Sequence, residues 1–264
     1  MAAQRSNPFL SKLRGGATAY GSFVFSIDPA STEILGACGF DLAIIDIEHA
    51  GMTLEHVYGH GRAAEAAGIS WWVRVGTVEA AEVGRLLDAG AQGIIFPHFG
   101  LDPASRGEYA ALVRYPPAGR RPTCTGIRAA GFGATSFPAY VERADRDVLA
   151  VGLIEDREVI EQADRTLADC EIDVVVPGGI GDLASSYGLH GQADHPVVTG
   201  AVERVLAAAR KAGKKTGVYL SSVTAAATYA SLAPDFYIYS IDYKVLAAAY
   251  AEIRRQLSGG PPRD

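Results

Sequence analysis

Cysteine is scarce in this chain of 264 residues: Cys38, Cys124 and Cys170 stand far apart and form no CxxC pair. That argues against a disulfide-stapled scaffold and against a cysteine-ligated zinc site, and it fits reduced thiols. Lysine is nearly as sparse, and no dense Lys/Arg run is present of the kind that nucleic acids and anionic membranes attract. The net charge of −6 points the same way. Long hydrophobic runs are missing too; nothing approaches the roughly 20 apolar residues that span a bilayer. The opening stretch carries Arg5, Lys12 and Arg14 but no apolar segment of the length a secretory signal needs. These absences lead us to expect a cytoplasmic protein with a small-molecule or protein partner, and neither a nucleic-acid nor a membrane partner.

What is present is a core-building composition, 48% hydrophobic and 20% charged, far from the signature of disorder. Apolar, often β-branched runs recur at 20–26, 42–48, 70–75, 93–99, 149–155, 173–178, 216–221 and 235–242. Between them lie helix-spaced segments, at 31–39, 54–67, 78–89, 104–114, 138–147, 158–169, 198–212 and 225–232, with a last one at 243–257. Alternation of this kind marks βα units around a parallel sheet, and eight units favour a closed (β/α)8 barrel, the TIM-barrel fold, over an open sheet. Ser31 with Glu33, and Asp102 before Pro103, mark helix starts. Ala67-Gly68, Ala89-Gly90 and Ala212-Gly213 mark helix stops. The Pro-, Gly- and Arg-rich stretch 115–137 is too long for an ordinary link and reads as an inserted loop or lid. No composition shift divides the chain, so residues 1–264 are expected to form one domain, with 1–19 as a loose lead and 258–264 as a frayed tail.

In such a barrel the active site lies at the C-terminal ends of the strands, so polar residues that terminate an apolar run carry the argument. The second run ends in Asp46-Ile47-Glu48-His49, the third in Arg74, the fifth in Glu155-Asp156 and the eighth in Asp242. The sixth runs into Gly178-Gly179-Ile180-Gly181-Asp182. Glu155 and Asp182, on neighbouring strands, are hard oxygen donors suited to Mg2+ or Mn2+, which keep positions open for water and substrate. A 2-oxo acid can fill two of those positions, so that the metal polarises its ketone. The alternative for the two carboxylates is a helix cap and a solvated charge. The glycines of 178–182 let backbone N–H groups approach a small carboxylate. Arg74, after Trp71, Trp72 and Val73, needs an anion to offset its burial; that anion is either an enolate oxygen or simply Asp46 or Glu48. His49 is a competent acid or base near neutrality, and Asp88 would orient it if the fold brings them together. His56 and His60, four apart, read as a helix face. A Schiff-base mechanism needs a lysine at a strand end. Among Lys12, Lys211, Lys214, Lys215 and Lys244, only Lys244 falls near one, which favours a metal mechanism.

Several ordered motifs together resemble the HpcH/HpaI aldolase/citrate lyase family. They are FDLAIIDIEHA at 40–50, VRV around Arg74, LLDAGAQGIIFP at 86–97, RYPPAGRR at 114–121, the Glu155 segment and GDLASSYG at 181–188. The resemblance runs from about Gly21 to Ala248. It implies a (β/α)8 barrel, commonly a hexamer whose last helix packs on a neighbouring subunit, and reversible aldol cleavage of 4-hydroxy-2-oxo acids to pyruvate and an aldehyde. Carried over by position, it implies that Glu155 and Asp182 bind Mg2+, Mn2+ or Co2+ and that Arg74 contacts the ketone or enolate oxygen. It further implies that His49, paired with Asp88, is the acid/base, and that the backbone at Gly179, Ile180 and Gly181 holds the substrate carboxylate. The chain departs from the family pattern at Leu153, where a glutamine is common, at Arg121-Pro122 and in the Gly-Gly-Ile-Gly-Asp loop. The expected function is thus a metal-dependent lyase acting on pyruvate or oxaloacetate with an aldehyde or other carbonyl acceptor, as a homo-oligomer, trimer or hexamer. The alternatives are an oxaloacetate decarboxylase or citrate-synthase-like condensing enzyme of the same family, and a catalytically silent metabolite-binding barrel.

Overall fold

The apolar runs form eight parallel strands: β1 (Ala19–Val24), β2 (Leu42–Asp46), β3 (Ser70–Arg74), β4 (Gly93–Phe96), β5 (Leu149–Ile154), β6 (Val174–Pro177), β7 (Lys215–Leu220) and β8 (Phe236–Ile241). In the computed structural model, which describes residues 7–259, they pair in chain order, and β1 against β8 closes the barrel. The helices are α1 (Pro8–Arg14), α2 (Ala30–Ala37), α3 (Leu54–Ala66), α4 (Ala80–Ala89), α5 (Ser105–Val113), α6 (Phe137–Asp147), α7 (Arg157–Glu161), α8 (Ala163–Ala168), α9 (Ile180–Ser186), α10 (Pro196–Lys211), α11 (Ala225–Tyr229) and α12 (Asp242–Ser258). Three of the helix stops are as read from sequence: Gly68, Gly90 and Gly213 all have positive φ, open to glycine without a Cβ penalty. The single helix expected over 158–169 is two, broken at Gln162.

Period-2 alternation decides what fills the barrel. Leu42 and Ile44 of β2, Trp72 of β3, Val151 and Leu153 of β5 and Phe236 of β8 belong to one buried cluster. Ala43, Ile45, Trp71 and Val73 pack outward beneath the helices. Large rings need small neighbours: a Cβ on Gly217 would stand 2.2 Å from the Phe236 ring. The same alternation, continued to the strand ends, aims Asp46, Arg74 and Glu155 into the barrel mouth.

Two expectations are corrected. The lead is not loose where it is described: α1 inserts Phe9 into the barrel floor, with ring centroids 4.9 Å from Trp72 and 5.1 Å from Phe236. Asn7 caps this helix through Leu10 N–H and accepts the Ser70 hydroxyl, which ties α1 to β3. Apolar Phe9, Leu10 and Leu13 fall on one face and are buried, which offsets the ordering of so short a helix. Residues 1–6 of the lead and 260–264 of the tail lie outside the described residues.

The 115–137 stretch is not a lid over the strand ends of its own barrel. It joins α5 to α6, which leads into β5, and therefore lies where helices return the chain to the strand N-termini. There Arg128 ion-pairs with Glu65 at 2.7 Å and donates to the Ala89 carbonyl, at the ends of α3 and α4. Tyr115, Ile127, Ala130, Tyr140 and Ala144 give it a small core of its own. By contrast, α12 buries none of its residues.

Candidate active site

β2 and β3 pair with Asp46 opposite Arg74, and the two side chains form an ion pair between Asp46 Oδ2 and Arg74 Nε. Asp46 is fully buried and Arg74 is 6% exposed. Asp46 Oδ1 also accepts the His49 backbone N–H at 2.7 Å, so one carboxylate sets both the guanidinium and the loop that carries His49. Glu48 lies 3.1 Å from Arg74 Nη1. Burial raises the Glu48 carboxyl above its usual range, against the opposing pull of Arg74 and His49. The guanidinium also lies 4.8 Å from the Phe23 ring centroid. Of the two competing readings of Arg74, the pairing with Asp46 and Glu48 is present, and Nη2 remains without a partner among the described residues. The His49 ring is half-exposed, with Nε2 3.8 Å from Glu48.

Glu155 follows β5 and is 3% exposed. Its carboxylate accepts two backbone N–H groups, His98 on Oε1 at 3.1 Å and Gly179 on Oε2 at 3.2 Å. Burial nonetheless pushes its pKa up to about 7; the His98 N–H and ring and the Gly179 N–H act against that, and the nearby Asp182 charge adds to it. Asp182 lies in the first turn of α9. A Cβ built on Gly179 would stand 3.1 Å from Asp182 Oδ2 and 3.7 Å from Glu155 Oε2, so the two carboxylates flank the small space over this glycine. Among the described residues no cluster of three or more His, Cys, Asp or Glu could hold a metal. Glu155 and Asp182 would offer a cation two oxygen donors, a set that fits an ion keeping most of its positions for water and substrate. A buried carboxylate whose charge is destabilised is the kind of group that a cation relieves.

A cavity of about 340 Å³ opens beside this pair, and His49, Arg74, Gly179, Ile180, Gly181 and Asp182 are among the residues that line it. The structure thus brings together all but one of the residues singled out from sequence. The exception is Asp88. It occupies the last turn of α4 and accepts Arg121 Nη2 at 2.9 Å. Helices of this barrel run back to the strand N-termini, so Asp88 lies at the opposite end from His49, and the expected His49–Asp88 pairing is not made within one chain. Gly179 is also reassigned in part: its N–H is engaged by Glu155, which leaves Ile180 and Gly181 as N–H groups open to a ligand. Leu153 packs in the barrel interior beneath Glu155.

Sequence reasoning passed over His98, although it is the polar residue near the end of the fourth apolar run, as Arg74 is of the third. His98 has φ 50°, a conformation rare outside glycine, and this turns its N–H onto Glu155. Its ring Nδ1 lies 3.1 Å from Asp156. Burial alone would lower the His98 pKa, but the Glu155 and Asp156 carboxylates outweigh it and hold the ring above its usual value. Tyr219 and Ser221, which line the same cavity, were also unassigned, because strand sequence does not say which rim residues share a cavity.

A family model described as HpcH/HpaI aldolase/citrate lyase matches residues 19–249. The chain belongs to this family. It is 30% identical over 257 residues to a hydroxypyruvate/pyruvate aldolase of Pseudomonas aeruginosa, covering 97% of this chain and 94% of that protein. It is 29% identical over 259 residues to a 4-hydroxy-2-oxo-heptane-1,7-dioate aldolase of Salmonella newport, covering 96% and 97%. Its fold superimposes on the HpcH/HpaI aldolase from Desulfitobacterium hafniense with a TM-score of 0.88, at 26% identity and with 98% and 100% of the two chains covered. The HpcH/HpaI match spans every strand of the barrel and both carboxylates of the site.

Proposed function

We propose that this chain is a metal-dependent class II aldolase that forms and cleaves 4-hydroxy-2-oxo acids through the enolate of pyruvate, with Glu155 and Asp182 holding Mg2+, Mn2+ or Co2+. One observation carries the reading: a buried carboxylate and a second one flank Gly179 beside a cavity that Arg74 and His49 also line. The aldolase names of the relatives support the same chemistry. When bound, the metal supplies Lewis-acid polarisation of the ketone.

The protein's own groups do the rest. Arg74 is held by Asp46 and Glu48 and offers Nη2 to the ketone oxygen as negative charge develops there. The N–H groups of Ile180 and Gly181 take the substrate carboxylate. In the cleavage direction the C4 hydroxyl loses its proton, the C3–C4 bond breaks to give aldehyde and enolate, and C3 is protonated. His49 is the acid/base for these transfers. The carboxylate beside its ring is Glu48, 3.8 Å from Nε2; Asp88 of the same chain is out of reach. The exposed Tyr243, Leu246, Tyr250, Ile253 and Leu257 of α12 supply an apolar face for the homo-oligomer, trimer or hexamer, that we propose. We also propose one cytoplasmic domain; no helix among the described residues is long and apolar enough to cross a membrane.

The test is exchange of the pyruvate methyl protons in D2O, followed by NMR, because enolisation needs no acceptor. Exchange that EDTA abolishes and added Mg2+ or Mn2+ restores is the expected result. Exchange that survives EDTA would remove the metal from the mechanism, and no exchange with metal present would remove the enolate.

A further inference from the structure

The turn after β4 holds a residue against its own preference. His98, with φ 50°, stands in the left-handed region, where a Cβ is disfavoured and a residue stays only if its surroundings force it there. The core fixes one side of this turn. The Phe99 N–H donates to the Leu153 carbonyl at 2.9 Å, its ring is fully buried, and the Gly100 N–H donates to Ser105 Oγ at 3.1 Å. Two consecutive residues after β5 hold His98 itself. Glu155 Oε1 accepts its N–H at 3.1 Å, and the two Asp156 carboxylate oxygens lie 3.2 and 3.1 Å from its ring Nδ1. An ionised carboxylate can only accept, so Nδ1 carries the hydrogen of this contact.

Asp156 reaches the ring by giving up a local role. It is the N-cap residue of α7, with an extended backbone, and its carbonyl accepts the N–H groups of Val159 and Ile160 at 3.0 Å each. An aspartate in that position ordinarily turns its carboxylate onto N–H groups of the first helical turn. Here the side chain makes no capping bond and faces His98 instead. The imidazole is 52% exposed, so it is the carboxylate, and not burial, that fixes the ring. Glu155 depends on the result. Each of its oxygens takes one backbone N–H, from His98 on Oε1 and from Gly179 on Oε2, which fixes the plane of the carboxylate and leaves lone pairs on both oxygens for an ion. With only one of these N–H groups the carboxylate is free to turn.

We infer that Asp156 and His98 are a positioning pair: the Asp156 carboxylate pins the His98 ring, which holds the left-handed turn, keeps its N–H on Glu155 and so aims that carboxylate at the metal. This rests on the reading of Glu155 as a metal ligand, and it names the residues that set the strength of that site. Both act through Glu155 and not on the substrate.

The experiment is calorimetric titration of the EDTA-stripped full-length protein with Mn2+ alone. Affinity is read apart from stoichiometry, so a partly unfolded variant loses sites without a false change in affinity. We expect Asp156→Ala to weaken Mn2+ binding about tenfold. Asp156→Asn, whose amide oxygen still accepts from Nδ1, should stay within about threefold of wild type. His98→Gly takes the left-handed turn without a Cβ penalty and should also stay within about threefold. In that background Asp156 has no ring to pin, and adding Asp156→Ala should cost no more than about twofold. An equal loss from Asp156→Ala in both backgrounds overturns the pair, because a cap or a bare charge would act without the ring. So does Asp156→Asn as weak as Asp156→Ala, or Asp156→Ala within about twofold of wild type. Glu155→Gln separates the two readings: if it binds Mn2+ as wild type does, the ligand assignment fails and this pairing with it, whereas if it alone loses the ion, only the pairing fails.

Discussion

Asp46 and Arg74 stand opposite each other in the β2–β3 register and form an ion pair shielded from solvent. Removing one partner of a buried pair leaves an uncompensated charge. Asp46→Asn should therefore lower unfolding free energy by about 3–5 kcal/mol in urea denaturation. Because Asp46 also holds the His49 N–H, the variant should slow methyl exchange even where it is fully folded. A variant with wild-type stability and exchange would show that the pair does not organise the site.

Glu155 supplies one of two proposed protein ligands, so Glu155→Gln should abolish tight metal binding in calorimetric titration, and Asp182→Asn should weaken it strongly. Both should keep the far-ultraviolet circular dichroism of the barrel. Unchanged affinity in either variant would move the metal elsewhere.

The raised pKa of Glu155 has a definite sign for stability. Between the unfolded value near 4.5 and the folded value of about 7, the native metal-free protein retains a proton that the unfolded chain has released. Its stability therefore falls as pH rises through this window, by a total on the order of 3 kcal/mol, and the loss is complete above it. Thermal melts of EDTA-treated wild type and Glu155→Gln across pH 5 to 8 should diverge in this sense, the glutamine variant gaining on wild type towards the alkaline end. Parallel curves would refute the assignment.

Gly179 leaves room between the two carboxylates. In Gly179→Ala the new methyl would press on Asp182 Oδ2 at 3.1 Å. We expect metal affinity to fall about tenfold while unfolding free energy shifts by no more than about 1 kcal/mol. Calorimetry and denaturation together check it, and a variant that binds metal as wild type does would free Gly179 of this role.

Phe9 seals the barrel floor against Trp72 and Phe236. Phe9→Ala should cost about 3–5 kcal/mol, seen as an earlier urea midpoint, although the residue precedes the first strand. A midpoint unchanged from wild type would return α1 to the status of a loose lead.

Much of the fold was legible in the chain itself. Strand and helix periods, the glycine stops and the order of eight units need only local sterics and burial pattern. The strand-end rule then picked Arg74 and Glu155, because period-2 alternation carries a side chain's direction along a strand without any long-range contact, whereas Asp182 was read from the glycine loop after the sixth run and lies in the first turn of α9. His98 was within reach of the same rule, and the signal was its place as the polar residue near the end of the fourth apolar run. Asp88 was misplaced for the opposite reason, since its motif is local while its partner is set by which end of the barrel a helix returns to.

The sequence by itself therefore determined the element order, the barrel class and which carboxylates reach the mouth, all consequences of periodicity over a few residues. Only the tertiary structure decided that Phe9 plugs the floor, that Gly179 separates Glu155 from Asp182, that the 115–137 stretch packs at the far end, and that Tyr219 shares a cavity with Arg74. These depend on strand stagger and closure of β8 on β1, where residues hundreds of positions apart become neighbours through a register that no local pattern encodes.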